Sequence, residues 1–220
     1  MASQIETLSP ERILSSHWNH SLAVGCKRTV DILGAFSLLV LLSPLLLVIA
    51  VLVRLTSEGP ILYRWRVVGK NGRNFTSYKF RTMVRDADQR KDELLRFNEM
   101  TGPVFKMTSD PRITKVGRCL RRYSLDELPQ LYSVLIGDMS LVGPRPPLQM
   151  EYKLFTDYQK LKLAVTPGMT CFWQISGRNS VSDLDEWVKL DLDYIRNWSL
   201  ALDFKILART AMTVIEGSRK

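Results

Sequence analysis

The pattern of apolar and polar positions divides the chain into one long apolar run and a polar remainder built from short elements. Ile32 to Val53 carries no charged residue. As a helix, a run of about 22 residues is long enough to cross roughly 30 Å of hydrocarbon. Leu-Leu-Val-Leu-Leu-Ser-Pro-Leu-Leu-Leu-Val-Ile is apolar on every face, which predicts insertion into lipid rather than burial as a core helix. The run is too long for a signal peptide, 31 residues precede it, and no small-residue cleavage site follows. Ser43-Pro44 sits near its middle. Proline removes a helical hydrogen bond and crowds the preceding turn, so a kink is expected there, with Ser43 bonding groups freed at the break. Lys27 and Arg28 flank one end, and Arg54, Arg64 and Arg66 the other. The positive-inside tendency therefore draws both ends to the cytoplasmic side. Two forms satisfy the pattern: a helix that dips in and returns at the break, and a kinked helix that spans.

Beyond Gly59-Pro60, Ile61 to Val68 and Phe75 to Phe80 alternate like short strands around Gly69-Lys-Asn-Gly72, which predicts a hairpin. Asp86 to Glu99 is charged and helix-prone, with Gly102-Pro103 as its stop. Ser109 or Asp110 is a candidate N-cap for the next element. Ser124 and Glu127 have capping-box spacing, and Leu128, Leu131, Leu135 and Ile136 give the following helix an apolar face that Gly137 ends. Gly143-Pro-Arg-Pro-Pro147 reads as rigid loop, Glu151 to Leu163 as a helix and Thr166-Pro-Gly168 as a turn. Asp183 to Asn197 and Leu200 to Ile215 read as amphipathic helices, with Trp187, Tyr194 and Trp198 suited to a membrane interface or a core. Residues 1–25 form a weakly patterned extension, part-helical around Pro10 to Leu14.

Charge narrows the partners. The net charge is +9 with a pI of about 9.6, and residues 54–122 hold 17 Lys/Arg against 7 Asp/Glu. That one segment accounts for the whole excess and predicts an anionic partner. Nucleic acid is disfavoured, because no recognition helix or aromatic stacking platform is visible. Cys26, Cys119 and Cys171 are odd in number and widely spaced, so neither a disulfide framework nor a metal cluster is indicated. His17 and His20 lie in an irregular segment and are not read as ligands.

The chemistry concentrates at Asp126-Glu127. Two adjacent carboxylates can divide labour, one attacking while the other holds a cation, and Arg118, Arg121 and Arg122 just upstream suit an anionic substrate. The structural alternative is a capping box in which both carboxylates serve the helix start. Arg145, held between prolines, is a guanidinium on a stiff loop suited to bidentate phosphate binding. Lys79-Phe-Arg81 ends the second strand and alone reads as a solvated edge; Gln174-Ile-Ser-Gly-Arg178 is a polar loop of weak individual weight.

Taken in order, several segments resemble the bacterial sugar transferases, also called monotopic phosphoglycosyl transferases. They are Lys27-Arg-Thr-Val-Asp31, the Ser43-Pro44 break, Tyr78-Lys-Phe-Arg-Thr-Met83, Ser109 to Gly117, Leu120 to Leu131, Gly137 to Pro146, Trp173 to Asn179 and Leu190 to Ser199. The resemblance runs from about Lys27 to Glu216 and implies an α+β, mainly helical fold. A re-entrant membrane helix, a small β-hairpin and amphipathic interfacial helices would surround an active site at the membrane surface. It implies an N-terminal extension (1–26), a membrane helix (27–56) and a membrane-associated catalytic domain (57–220).

The implied activity is transfer of a sugar-1-phosphate from a UDP-sugar to polyprenyl phosphate, with release of UMP, at the cytoplasmic face of the bacterial inner membrane. Asp126 would be the nucleophile, Glu127 the Mg²⁺ ligand, and Arg121, Arg145 and Lys79 phosphate-binding residues. The C-terminal motifs resemble the hexose branch, glucose or galactose. Cys171-Phe172 stands where relatives commonly show a glycine and an aliphatic residue, and the chain resembles the short form that lacks extra N-terminal helices. The rival reading is a catalytically silent, membrane-anchored scaffold of a glycan assembly complex; whether the chain forms a homo-oligomer is left open.

Overall fold

The computed structural model describes residues 21–175 and 182–217. The readings at Pro10 to Leu14, His17, His20 and Ser176 to Asn179 fall outside the described residues. The apolar run is carried by α1, Ser21–Leu41, and α2, Ser43–Thr56. The two are bent by 63° relative to each other, and no single described helix is long and apolar enough to cross a membrane. The bend has a local cause. Pro44 lies in the first turn of α2 and has no N–H for the carbonyl four residues earlier, that of Val40. The Ser43 hydroxyl donates to that carbonyl at 2.8 Å, so the acceptor stranded by proline is satisfied within the bend.

α1 turns Lys27, Asp31 and Ala35 inward, the four-residue spacing of one helix face. α2 packs Ile49 and Val53 against Phe80 and Leu120. The opposite faces are bare: Leu33, Phe36, Val40, Leu41, Leu47, Val48 and Leu55 are each more than half exposed.

The hairpin pairs β1, Leu62–Val68, with β2, Asn74–Phe80, antiparallel and in register from Leu62↔Phe80 to Val68↔Asn74. Asn71 and Gly72 turn it with φ of 55° and 78°. The helix expected over Asp86 to Glu99 is reduced to α3, Lys91–Leu94, and a 3-10 turn at Leu95–Phe97. Asn98 explains the early stop: its carboxamide oxygen accepts from Met100 N and Lys106 N, and its amide donates to Met100 O and Val104 O. A side chain that bonds local backbone this way competes with the helix ladder.

α4, Lys115–Arg122, is capped by Thr114, whose hydroxyl accepts from Gly117 N at 2.9 Å. The expected cap at Ser109 or Asp110 is not made, since the next helix begins only at Lys115; the Asp110 carboxylate accepts from Arg112 N at 3.0 Å, Nε at 2.9 Å and Nη2 at 2.6 Å. α5, Gln130–Ile136, ends at Gly137 with φ 94°. It buries Leu131 and Val134, while Ile136 is exposed.

β3, Ser140–Val142, pairs in parallel with β4, Gly168–Thr170, where a plain turn is expected from Thr166-Pro-Gly168. The expected helix over Glu151 to Leu163 is broken into α6, Gln149–Tyr152, and α7, Asp157–Lys160, followed by a 3-10 turn. Phe155 is buried between them, and Thr156 starts α7 with a capping box to Gln159. α8, Phe172–Ile175, precedes α9, Leu184–Arg196, and α10, Leu200–Glu216; the last two are N-capped by Asp183 and Ser199.

The main core gathers Leu131, Val134, Met139, Val142, Trp187, Leu192, Trp198 and Ile206. α9 packs into this core with Trp187 and Tyr194 buried, and Trp198 just beyond it is buried as well. α10 leaves Phe204, Met212 and Ile215 exposed.

Both ends of the bent pair are tied to this body. Lys27 Nζ pairs with Asp203 Oδ2 at 2.6 Å and donates to Val142 O at 2.9 Å. Arg28 donates to the last carbonyls of α5, those of Val134 and Leu135, at 2.6 and 2.7 Å. Asp31 accepts from Ser140 Oγ at 3.0 Å and Leu141 N at 2.9 Å. At the far end, Arg81 Nη2 donates to Ser57 O at 2.6 Å and Nη1 to Pro60 O. Lys27 and Arg28 thus act as internal fasteners as well as flanking charge, and Arg81 fastens the other end.

Candidate active site

Asp126 and Glu127 sit on a tight turn built by α4. Gly117 of that helix lies against the chain at Thr82: a Cβ there would meet Thr82 O at 2.1 Å, so only glycine lets the helix come so close. After Arg122 the backbone reverses at Ser124, with φ 53° and ψ 22°. That left-handed conformation costs a non-glycine residue on the order of 1 kcal/mol. The expected capping box is absent: Ser124 makes no side-chain cap, and Leu125–Glu127 forms a single 3-10 turn.

Three cations reach the pair from separate elements. Lys79, from β2, places Nζ 2.8 Å from Glu127 Oε1. Arg145 places Nη1 3.3 Å from the same oxygen. Its loop is set by the close approach of Gly143 and Gly168, where a Cβ on Gly168 would lie 2.0 Å from Gly143 N. Arg121, from α4, is steered by its Nε, which donates to Thr82 Oγ1 at 2.8 Å. Asp126, Glu127, Lys79, Arg121 and Arg145 all line one cleft of about 620 Å³. Eight Lys/Arg and five Asp/Glu line it, so its field favours an anion.

Burial, and then the adjacent Glu127 charge, push the Asp126 carboxyl above the ordinary carboxylate range, against the pull of Lys79 and Arg121. Burial draws the Lys79 ammonium below its ordinary value, opposed by Glu127 and reinforced by Arg145. Asp126 is thus a buried carboxylate facing Lys79 and Arg121, while Glu127 pairs with Lys79 and Arg145.

Not every expected residue arrives. Arg118 and Arg122 are exposed and do not line the cleft. Ser43 and Pro44 form the helix bend rather than the site. Arg81 lines the cleft but spends its guanidinium on Ser57 and Pro60.

Sequence reasoning missed Trp65, whose ring lies under Lys79 and Arg145, because it reads as an ordinary alternating strand position. It also missed the Asp110–Arg112 pair, buried at 2.6 Å in the cleft wall; the two-residue spacing of opposite charges was the available signal. The aromatic end of the cleft, where Trp173 and Trp187 stack at 4.5 Å, joins residues 14 apart in sequence and gives no local pattern.

A carboxylate pair ringed by convergent cations, with Asp126 buried, is an arrangement suited to a phosphate-bearing ligand. Residues 22–217 match the family described as bacterial sugar transferase, and the chain belongs to that family. It is 47% identical over 201 residues to the galactosyl transferase CpsE of Streptococcus agalactiae, covering 91% of this chain and 44% of the relative. It is 43% identical over 192 residues to the exopolysaccharide production protein ExoY of Rhizobium meliloti, covering 86% of this chain and 84% of that protein. The undecaprenyl-phosphate galactose phosphotransferase of Salmonella typhimurium is 44% identical over 194 residues, 86% of this chain and 40% of that protein. The chain thus spans less than half of two of these relatives and most of the third.

Proposed function

We propose that this protein transfers a hexose-1-phosphate, galactose or glucose, from a UDP-sugar to polyprenyl phosphate, releasing UMP, as a membrane step of exopolysaccharide, capsule or O-antigen synthesis. The observation that carries the proposal is Asp126, buried beside Glu127 with Lys79, Arg121 and Arg145 converging on the pair. Relatives named for galactose transfer to undecaprenyl phosphate support the substrate class.

In the first half-reaction an Asp126 carboxylate oxygen attacks the β-phosphorus of the donor. The bond from that phosphorus to the bridging oxygen breaks, and UMP leaves with the oxygen. In the second, a polyprenyl phosphate oxygen attacks the phosphoryl-aspartate phosphorus, and the Asp126 carboxylate departs. Both nucleophiles act in their ionised forms, so neither step needs a proton transfer. The raised basicity of Asp126 strengthens its attack, and Arg121, Arg145 and Lys79 neutralise charge on the diphosphate. Separating the exchange into two steps lets one anionic site serve two bulky anions in turn.

The donor set suits Mg²⁺. Asp126 and Glu127 offer hard oxygen atoms, and no group of three His, Cys, Asp or Glu side chains among the described residues would hold a metal without further ligands. Mg²⁺ is commonly held by one or two carboxylates, with water and substrate phosphates completing its sphere. Glu127 would hold the ion, which when bound supplies charge neutralisation on the diphosphate.

The bent pair is read as re-entrant, with the active site at the cytoplasmic face of the inner membrane. Lys27 and Asp31 at one end and Arg81 at the other fasten both ends to the same polar body, which supports a dip over a crossing. The exposed apolar residues of α1 and α2 would face lipid, and those of α10 its interface.

The test is UMP release by the purified chain with polyprenyl phosphate, Mg²⁺ and a panel of UDP-sugars. Turnover with a UDP-hexose is expected, and Asp126→Ala abolishes it. Absence of turnover with every donor overturns the transferase reading, and full turnover by Asp126→Ala overturns the nucleophile.

A further inference from the structure

We infer that Trp65 is a positioning residue of this site: its indole face holds the Lys79 ammonium and the Arg145 guanidinium together on Glu127. The inference rests on the phosphoryl-transfer reading above.

Trp65 lies in β1 and is 7% exposed. The hairpin register sets Trp65 opposite Ser77 and Tyr63 opposite Lys79, so Lys79 is a diagonal neighbour of Trp65 on one face of the sheet. Lys79 Nζ sits 3.7 Å from the Trp65 ring centroid, and Arg145 Cζ sits 5.3 Å from it. The same two groups meet Glu127 Oε1 at 2.8 and 3.3 Å. Two like charges are therefore bracketed between one carboxylate oxygen and one aromatic face.

The choice of an aromatic has a physical reason. A site for a diphosphate needs converging cations, and converging cations repel. A second carboxylate at position 65 would relieve the repulsion but would also cancel the field the substrate needs and occupy N–H donors. An indole face attracts cations through its quadrupole while carrying no net charge and accepting no N–H that a phosphate oxygen requires. Trp65 would thus keep the cations convergent and leave their donors for substrate.

The charged groups facing Lys79 are Glu127 and Asp126 from the 3-10 turn and Arg145 from the proline loop; β1 adds Trp65 and Tyr63. Removing the indole takes away the face that both cations share, so their convergence on Glu127 loosens and a diphosphate binds less tightly.

The experiment compares wild type, Trp65→Phe and Trp65→Leu. It reads kcat and KM separately for a UDP-hexose, and UDP affinity by calorimetry, with the full chain in detergent and Mg²⁺. For Trp65→Leu we expect a fall in kcat/KM on the order of ten-fold, carried mainly by KM, and UDP binding weaker by a similar factor. Trp65→Phe, with a weaker but intact π face, falls between.

Leu and Phe variants with equal defects, or a Leu variant that binds UDP as tightly as wild type, would reduce Trp65 to packing and overturn the inference. If Trp65→Leu loses its fold in a thermal melt, Trp65→Phe decides alone: weaker UDP binding with a wild-type melt supports the inference, and unchanged UDP binding overturns it. The calorimetric arm keeps the two readings separable. Trp65-dependent UDP binding but no turnover by wild type would sink the transferase reading and leave this inference standing.

Discussion

Substituting Lys27 by methionine should loosen the attachment of the bent helix pair to the catalytic body. The Asp203 carboxylate accepts from Lys27 Nζ at 2.6 Å, Tyr194 OH at 2.7 Å and Trp198 Nε1 at 3.1 Å. Both charged side chains are 7% exposed, so solvent offers little relief. Methionine preserves most of the volume and removes the charge, leaving a buried carboxylate with two neutral donors. Removing one partner of a buried ion pair costs about 3–5 kcal/mol, and the two remaining donors argue for about 3. In a chain of this size each kcal/mol moves the melting temperature by about 2–4 °C, so a fall of roughly 6–12 °C is expected. The assay is thermal unfolding in detergent at several scan rates, with Lys27→Met, Asp203→Asn and the double variant. Because the charges compensate each other, the double variant should be more stable than the sum of the single losses by about 2 kcal/mol. A Lys27→Met melting point within about 2 °C of wild type, or strict additivity, would refute the anchor.

Other expectations follow from the same geometry. Glu127 raises the Asp126 pKa, and the reactive ionised form is lost as pH falls through it; Glu127→Gln should therefore move the acid limb of kcat/KM to lower pH and raise the Mg²⁺ concentration required. An unmoved limb would disconnect the two carboxylates. As a raised carboxyl, Asp126 contributes stability that is full below its unfolded pKa and lost as pH rises through the folded one. Gly117→Ala would put a Cβ 2.1 Å from Thr82 O, displacing α4 and Arg121; a loss of about 2 kcal/mol with impaired UMP release is expected, and wild-type behaviour in both would contradict it. Cysteines placed at Leu22 and Leu55, both exposed, should react with an impermeant maleimide from one side of sealed vesicles, once Cys26, Cys119 and Cys171 are replaced. Reaction from opposite sides excludes the dip.

Where a pattern is local, the sequence carries it. The apolar run and its proline, the alternating hairpin, and the last two helices with Asp183 and Ser199 as caps are all readable from neighbouring residues. Asp126, Glu127 and Arg145 are singled out by residue type as a candidate site, and the structure brings them to one cleft. What escaped is tertiary. β3 and β4 are three residues each and wholly or largely buried, so no alternation marks them, and their pairing depends on Gly143 and Gly168 meeting across a wide gap in sequence. Ser124 has the spacing of a capping residue, yet the turn needs its backbone in a left-handed conformation and the cap is lost. Lys27 reads as a flanking charge until Asp203, 176 residues away, is brought beside it. Trp65 reads as core until the register sets Lys79 diagonally across from it.

The central claim, that Asp126 becomes covalently phosphorylated, is tested most directly by incubating the protein with a UDP-hexose labelled at the β-phosphate and no lipid acceptor. The account predicts label on Asp126 in a peptide map, one UMP released per label, and discharge of the label on adding polyprenyl phosphate. UMP release that appears only with acceptor present, with no label on wild type, would contradict it, as would label that persists in Asp126→Asn.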